Sequence, residues 1–198
     1  MPDSYKTIAQ IAEGTYSEKR SKFLAFAIPV TTAEEVKAYV AEYQKRYYDA
    51  RHACYAYMLG AERTDFRAND NGEPSGTAGK PILGQINSYG LTNILIIVVR
   101  YFGGIKLGTS GLIVAYRQAA IEALENAQII EKTVDDDISF AFEFPMMNAV
   151  MKIVKDLNPQ IIAQGYDTNC TMTLRIRRGL MPQLVERLKK VDGLEIMN

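Results

Sequence analysis

The residues able to do chemistry in this sequence gather in three short stretches. The first, RHACYAYML at Arg51–Leu59, holds the chain's single histidine, His52, and one of its two cysteines, Cys54. The second, NDNGEPSGTAGK at 69–80, sets Asp70, Glu73, Thr77 and Lys80 among Gly72, Gly76 and Gly79. The third, RYFGGIKLGTSG at 100–111, sets Arg100, Tyr101 and Lys106 around Gly103, Gly104, Gly108 and Gly111, with Thr109 and Ser110 near its end.

Each stretch has a chemical reading and a plainer one. A Cys–His nucleophile pair needs hydrogen-bond contact. His52 and Cys54 sit two apart on a strand, about 6.6–6.8 Å along it at the usual rise, too far for that contact. Cys54 therefore reads as a small buried residue and His52 as a pocket or core polar group. With one histidine, a catalytic triad and a multi-histidine metal site are excluded. Asp70 and Glu73 would serve as paired acids or Mg²⁺ ligands only if they converged. The plainer reading is an acidic loop whose Asp and Asn cap turns. No catalytic residue, resident metal or cofactor is expected.

The third stretch follows Asn93–Val99, an almost wholly β-branched and apolar run with the length of a strand. The chain then breaks at Gly103-Gly104 and enters an apolar-striped helix near Thr109 or Ser110. Strand, glycine loop and helix start together offer backbone N–H groups to an anion. This is not a Walker loop, which would need Lys where Thr109 stands. Lys106 can still join an anion site built from Gly104, Gly108, Thr109 and Ser110, worth about 0.3–1 kcal/mol when exposed. Arg51, Lys80, Arg100 and Tyr101 are candidates to converge there as a basic, aromatic surface for phosphates and stacked bases. Gly103, Gly104, Gly108 and Gly111 would let backbone approach the ligand. His52, Asp70, Glu73, Gly76 and Thr77 are the candidate pocket. The plainer reading is a tight crossover whose glycines serve geometry alone.

Around these stretches the pattern predicts alternating strands and helices. Tyr5–Thr15 and Lys22–Ile28 read as strands of a hairpin, the second ended by Pro29. Thr32-Ala33-Glu34-Glu35 reads as a capping box opening a helix to about Tyr47. Parity on the 51–59 strand puts Arg51, Ala53, Tyr55 and Tyr57 on one face and His52, Cys54, Ala56 and Met58 on the other. Pro81 fits the first turn of a helix ending near Gly90. Glu131–Asp137, EKTVDDD, is a charge-rich break and the expected domain boundary. Beyond it the order is β-α-β-β-α-β, the ferredoxin-like motif. There Arg175 and Arg177 share a strand face near Arg178, Lys189 and Lys190, a second candidate RNA-facing surface.

Composition narrows the classes. At 198 residues with 47% hydrophobic content, a packed core is expected. Lys+Arg and Asp+Glu are both 23, which argues against a strongly basic nucleic-acid coat but not against a local patch. Two distant cysteines give no disulfide framework or zinc spacing. The N-terminus lacks a signal pattern, and no apolar run approaches a membrane span. A cytoplasmic protein without membrane association is expected.

Two motifs, DNGEPSGTAGKPIL at Asp70–Leu83 and VVRYFGGIKLGTSGL at Val98–Leu112, resemble those of the YigZ/IMPACT family, and HACYAY at His52–Tyr57 fits the same family's strand. The resemblance covers nearly the whole chain. It implies an α+β protein of two domains. Residues 1–132 would form an IMPACT-type domain with the left-handed βαβ fold of a small-subunit ribosomal protein and of domain four of elongation factor G. Residues 133–198 would form a ferredoxin-like βαββαβ domain similar to that factor's last domain. Asn71 departs from the usual double Asp of the first motif, which would weaken any cation site there. The family's eukaryotic relatives regulate translation under amino-acid starvation by competing for the activator of a translation-initiation kinase. They carry an additional amino-terminal domain not expected in this chain, so that partner does not transfer residue by residue.

The resulting expectation is a non-enzymatic cytosolic binding protein, associated with RNA or the ribosome and linked to regulation of translation. One alternative is an enzyme acting on a phosphorylated small molecule or nucleotide through the same loop. Another is a protein–protein regulator with a partner in translation or stress response, anchored by exposed tyrosines.

Overall fold

A computed structural model describes residues 1–197. The chain divides into two compact units, one of residues 5–132 and one that joins residues 1–4 to those from 133 onward.

The first unit is built on a five-stranded antiparallel sheet in the order β2-β3-β6-β4-β5. Its strands are β2 (Ala12–Glu18), β3 (Ser21–Pro29), β4 (His52–Leu59), β5 (Asp65–Asn69) and β6 (Ile94–Tyr101). A short first strand, β1 (Ser4–Ile8), precedes them and pairs with β7 (Ile129–Thr133) in a separate ribbon. The stretch 5–15, expected as one loose strand, is thus broken at 9–11 into β1 and β2. The β2–β3 turn falls on Lys19 and Arg20, both with positive φ.

β6 lies at the centre, and Ile94–Val99 are all buried because both faces are covered. On one face lies α1 (Ala33–Arg46), over Phe26, Ile28, Leu95, Ile97 and Val99. Its start is the expected capping box: Thr32 Oγ1 accepts from the Glu35 amide at 3.2 Å, and Glu35 Oε2 accepts from the Thr32 amide at 3.3 Å. On the other face lie α2 (Gly79–Ser88) and α3 (Gly108–Glu125), over Phe23, Ala25, Cys54, Ala56, Ile96 and Val98. The expected parity of β4 holds: Cys54, Ala56 and Met58 face α2 and α3, while Ala53, Tyr55 and Tyr57 face the α1 side.

Glu131–Asp137 spans the division between the two units, between Lys132 and Thr133, but it is not a loop. Charge hid two strands: β7 ends at Thr133 and β8 (Asp135–Phe142) begins after Val134. β7 itself buries no residue, so it needs no apolar alternation. The second unit continues with α4 (Met147–Leu157), β9 (Gln160–Tyr166), β10 (Cys170–Arg177), α5 (Met181–Leu188) and β11 (Glu195–Met197). Its sheet order is β11-β8-β10-β9, and Phe140, Phe142, Met172 and Leu174 form a core with Val150, Val154, Leu184 and Leu188. Among the described residues, no helix is long and apolar enough to cross a membrane.

Candidate functional site

The two glycine loops of the first unit both lead into helices, and the structure treats them differently. In the 69–80 loop, Asp70 turns inward. Its Oδ2 accepts from the Gly76 amide at 2.9 Å, and its Oδ1 from the amides of Ala78 and Gly79 at 3.2 and 2.8 Å. Those last two amides open α2, so the carboxylate serves as that helix's anion. Burial alone would raise the Asp70 pKa, but the three amides and the Lys80 charge outweigh it and hold the group below 3.8. Thr77 Oγ1 donates to Pro74 O at 2.6 Å. Asn71 Oδ1 accepts from the Ala53 amide at 2.8 Å, which ties the loop to β4. Asp70, Gly76, Thr77 and Asn71 therefore shape the loop.

Glu73, in the same loop, is buried. Its Oε1 accepts from Arg100 Nη1 at 2.6 Å and from Tyr116 OH at 2.8 Å. Burial with an ion pair satisfies the charge that an isolated buried carboxylate would leave bare. Arg100 projects from β6 onto the α3 face, where its guanidinium lies 5.6 Å from the Phe23 ring and 5.5 Å from that of Phe102. Its Nε is the one buried side-chain polar atom without a hydrogen-bond partner among the described residues. The neighbouring Cys54 donates to Asp70 O and Tyr116 OH, and burial pushes its thiol up to about 12. A thiol held that high supplies no thiolate near neutrality.

Above this buried layer is a cleft of about 400 Å³. Arg51, His52, Glu73 and Arg100 meet Lys106, Gly108 and Thr109 there, and Phe102 and Leu107 are among its apolar walls. The α3 start faces this cleft with no side-chain cap. Gly108 has φ +73°, a conformation costly for other residues, and it turns the loop into the helix. Among the described residues, no carboxylate pairs with Arg51 or Lys106. Arg51 instead lies 5.9 Å from the half-exposed Phe102 ring.

The cleft brings together Arg51, His52, Glu73, Arg100, Lys106, Gly108 and Thr109, but several expected partners lie elsewhere. Tyr101 follows Arg100 on a strand, so it points to the opposite face. There its hydroxyl donates to Asp49 at 2.9 Å. Lys80 is exposed beside Asp70, outside the cleft lining. Ser110 lines a different groove, with Tyr16 and Lys19. Gly103 serves close packing: a Cβ there would overlap the Arg20 backbone, and its amide donates to Ser21 Oγ at 3.3 Å. Gly104, with φ +90°, makes the turn without lining the cleft.

Sequence reading missed Phe102, Leu107 and Leu112 as walls and Tyr116 as a polar partner. Phe102, an aromatic residue between a buried strand and two glycines, was the available signal. Tyr116 sat on the apolar stripe of α3 and gave none. In the second candidate RNA surface all three arginines are paired with carboxylates. Arg175 is paired with Asp137 at 2.7 Å, Arg177 with Asp3 at 2.7 Å and Arg178 with Asp136 at 2.9 Å. Among the described residues, no group of three or more His, Cys, Asp or Glu is placed to hold a metal ion.

The family model for the Impact N-terminal domain matches residues 19–124, a span that contains the whole cleft. The IMPACT family member YvyE of Bacillus subtilis (strain 168) is 37% identical over 132 residues, covering 67% of this chain and 61% of that protein's own length. The IMPACT family member YigZ of Escherichia coli (strain K12) is 34% identical over 150 residues, covering 75% of this chain and 74% of that protein. A crystal structure of a protein described only as hypothetical superposes with a TM-score of 0.75 at 27% identity, covering 100% of this chain and 98% of the other.

Proposed function

The chain belongs to the IMPACT family, and from that premise we propose that it is a non-enzymatic binding protein of the translation machinery, taking single-stranded RNA through the cleft beside α3. The same reading assigns the first unit to the ribosomal-protein-like left-handed βαβ domains and the second to ferredoxin-like domains such as the last of elongation factor G. Both assignments point to a ribosomal or RNA setting.

One observation carries the proposal: among the described residues, Arg51 and Lys106 remain without carboxylate partners at a cleft that also receives an uncapped helix start. Cations held beside backbone amides are poised for phosphate oxygens. The exposed Phe102 ring supplies a surface for base stacking. A nucleic-acid partner of this kind leaves a salt signature, because each phosphate contact releases counterions.

The enzymatic alternative draws on His52 and Glu73, which do reach the same cleft. It lacks a usable nucleophile, since burial pushes the Cys54 thiol up to about 12, and Glu73 Oε1 is already taken by Arg100 and Tyr116. The direct test is binding of short single-stranded RNA to the full chain across a salt series. Affinity should fall steeply with salt, and the slope should flatten when Arg51 and Lys106 are replaced. Failure of tRNA, ribosomes and generic single strands to bind at low salt rejects the proposal.

A further inference from the structure

We propose, resting on the RNA reading above, that the cleft receives one unpaired nucleobase bearing an exocyclic amino group, held between Glu73 Oε2 and His52 Nε2, and that it rejects uracil. The inference starts from two atoms at the cleft floor that have no donor.

The first is on His52. Its Nδ1 lies 2.7 Å from Asn71 O. A carbonyl oxygen only accepts, so Nδ1 carries the proton. In the neutral ring Nε2 is then an acceptor. Gly72 lies against the same edge of the ring, where a Cβ would come 3.3 Å from Nδ1 and 3.4 Å from Cε1. The second atom is Glu73 Oε2. The Arg100 and Tyr116 bonds both end on Oε1. Among the described residues, Oε2 has no hydrogen-bond donor, and His52 Nε2 lies 3.7 Å from it.

Two acceptors therefore stand 3.7 Å apart, beyond hydrogen-bond range of each other, on side chains that line the cleft. A primary amino group on a planar ring satisfies both, one N–H to each. Adenine, cytosine and guanine carry such a group. Uracil carries one imide N–H between two carbonyl oxygens, so one of its acceptors would face one of the protein's.

The rest of the cleft fits the same ligand. Its 400 Å³ lies at the small end of ligand pockets, which run about 300–1,000 Å³, so it has room for one nucleotide. Pro74, Leu107 and Leu112 provide apolar walls for a base, with Phe102 beside them. Arg51, Lys106 and the α3 start lie at its rim for the adjoining phosphate. A bare anion would leave both the apolar walls and the two floor acceptors without a role.

The experiment measures binding of single-stranded RNA hexamers to the full chain at low salt by fluorescence anisotropy. The ligands are oligo(A), oligo(C), oligo(U) and an oligo(A) analogue whose purines lack the 6-amino group. Oligo(A) and oligo(C) should bind roughly tenfold to a hundredfold tighter than oligo(U), the discrimination expected of a two-bond base contact. Removing the amino group should bring oligo(A) down to the oligo(U) level, a comparison that needs no protein variant. His52→Phe removes one of the two acceptors and should level the four ligands. Equal affinities for all four in the wild-type chain overturn the inference while leaving RNA binding intact. Discrimination that persists in His52→Phe overturns it too. Absence of any RNA binding rejects both readings. Because the chain has one histidine, its imidazole ¹⁵N signals give an independent check. A free protein with both ring nitrogens protonated beside Glu73 has no acceptor pair to offer, and that result overturns the proposal.

Discussion

The two glycine loops of the first unit have similar composition and opposite states. The 69–80 loop carries its own anion: Asp70 reaches back to the amides of Gly76, Ala78 and Gly79 and closes the start of α2. The 103–111 loop has no acid, and α3 begins at Gly108, after Leu107, without a side-chain cap. A helix start that bears a built-in carboxylate is finished structure. One that faces a cleft with Arg51 and Lys106 beside it is open to an external anion. Glycine content alone did not separate the two. The position of a single carboxylate did.

The largest effect should come from the residue that joins the loops. Glu73 rises from the first loop and pairs, buried, with Arg100 at the foot of the second. Glu73→Ala leaves a buried guanidinium without its partner, a change that costs about 3–5 kcal/mol. Urea unfolding should show it as a large fall in midpoint. As a control, Arg175→Ala removes an ion pair whose side chains are 45% and 43% exposed, and the urea midpoint should barely move. Equal costs for the two variants would mean that Glu73 and Arg100 are not a buried pair in solution.

Next comes the anion of the first loop. Asp70→Ala removes the acceptor of three amides, and loss of about 2 kcal/mol is expected from capping and charge-assisted bonds. The pH dependence has a definite sign. The folded carboxyl titrates below its ordinary 3.8, so its stabilisation is complete above that value and is lost as pH falls through the lower folded pKa. Urea midpoints of the wild-type chain should therefore fall more steeply with acid below about pH 4 than those of Asp70→Asn. Parallel curves would remove Asp70 from its capping role.

The open loop should respond in binding and not in stability. Arg51→Ala with Lys106→Ala touches no buried pair, so unfolding midpoints should barely move. RNA affinity should drop, and the slope of log affinity against log salt should shrink by about 0.7 per lost contact, or about 1.4 for both. An unchanged slope would place the phosphate contacts elsewhere.

How much of this was legible in the sequence follows from the range of each interaction. The capping box at Thr32 and Glu35 acts over three residues and was readable as written. So was the buried β6, because a strand covered on both faces needs an unbroken apolar run. The acidic loop's turn-capping role was one of its two readings, and Asp70 acts within ten residues. Glu73 was ambiguous, since its partners lie 27 and 43 residues away and no local pattern announces them. β7 stayed hidden because a ribbon strand without a buried face carries no period. Tyr101 was misplaced although strand alternation already separates it from Arg100. Grouping the two by sequence adjacency overrode the rule that neighbours on a strand face apart.

The smallest expected effect sets one lysine of each loop against the other. Lys80 and Lys106 are both exposed, and both were candidates for the same phosphate. Lys106 lines the cleft below the uncapped α3. Lys80 sits in the first turn of α2, where Asp70 already supplies the negative charge that a phosphate would bring. An added anion there would meet that carboxylate. Lys80→Ala should therefore leave RNA affinity within about twofold of wild type and stability within about 0.5 kcal/mol, as for most surface substitutions. Lys106→Ala should weaken binding and flatten its salt slope by about 0.7. If Lys80→Ala weakens binding as much as Lys106→Ala, phosphate lies along both loops, and the closed start of α2 is no barrier to it.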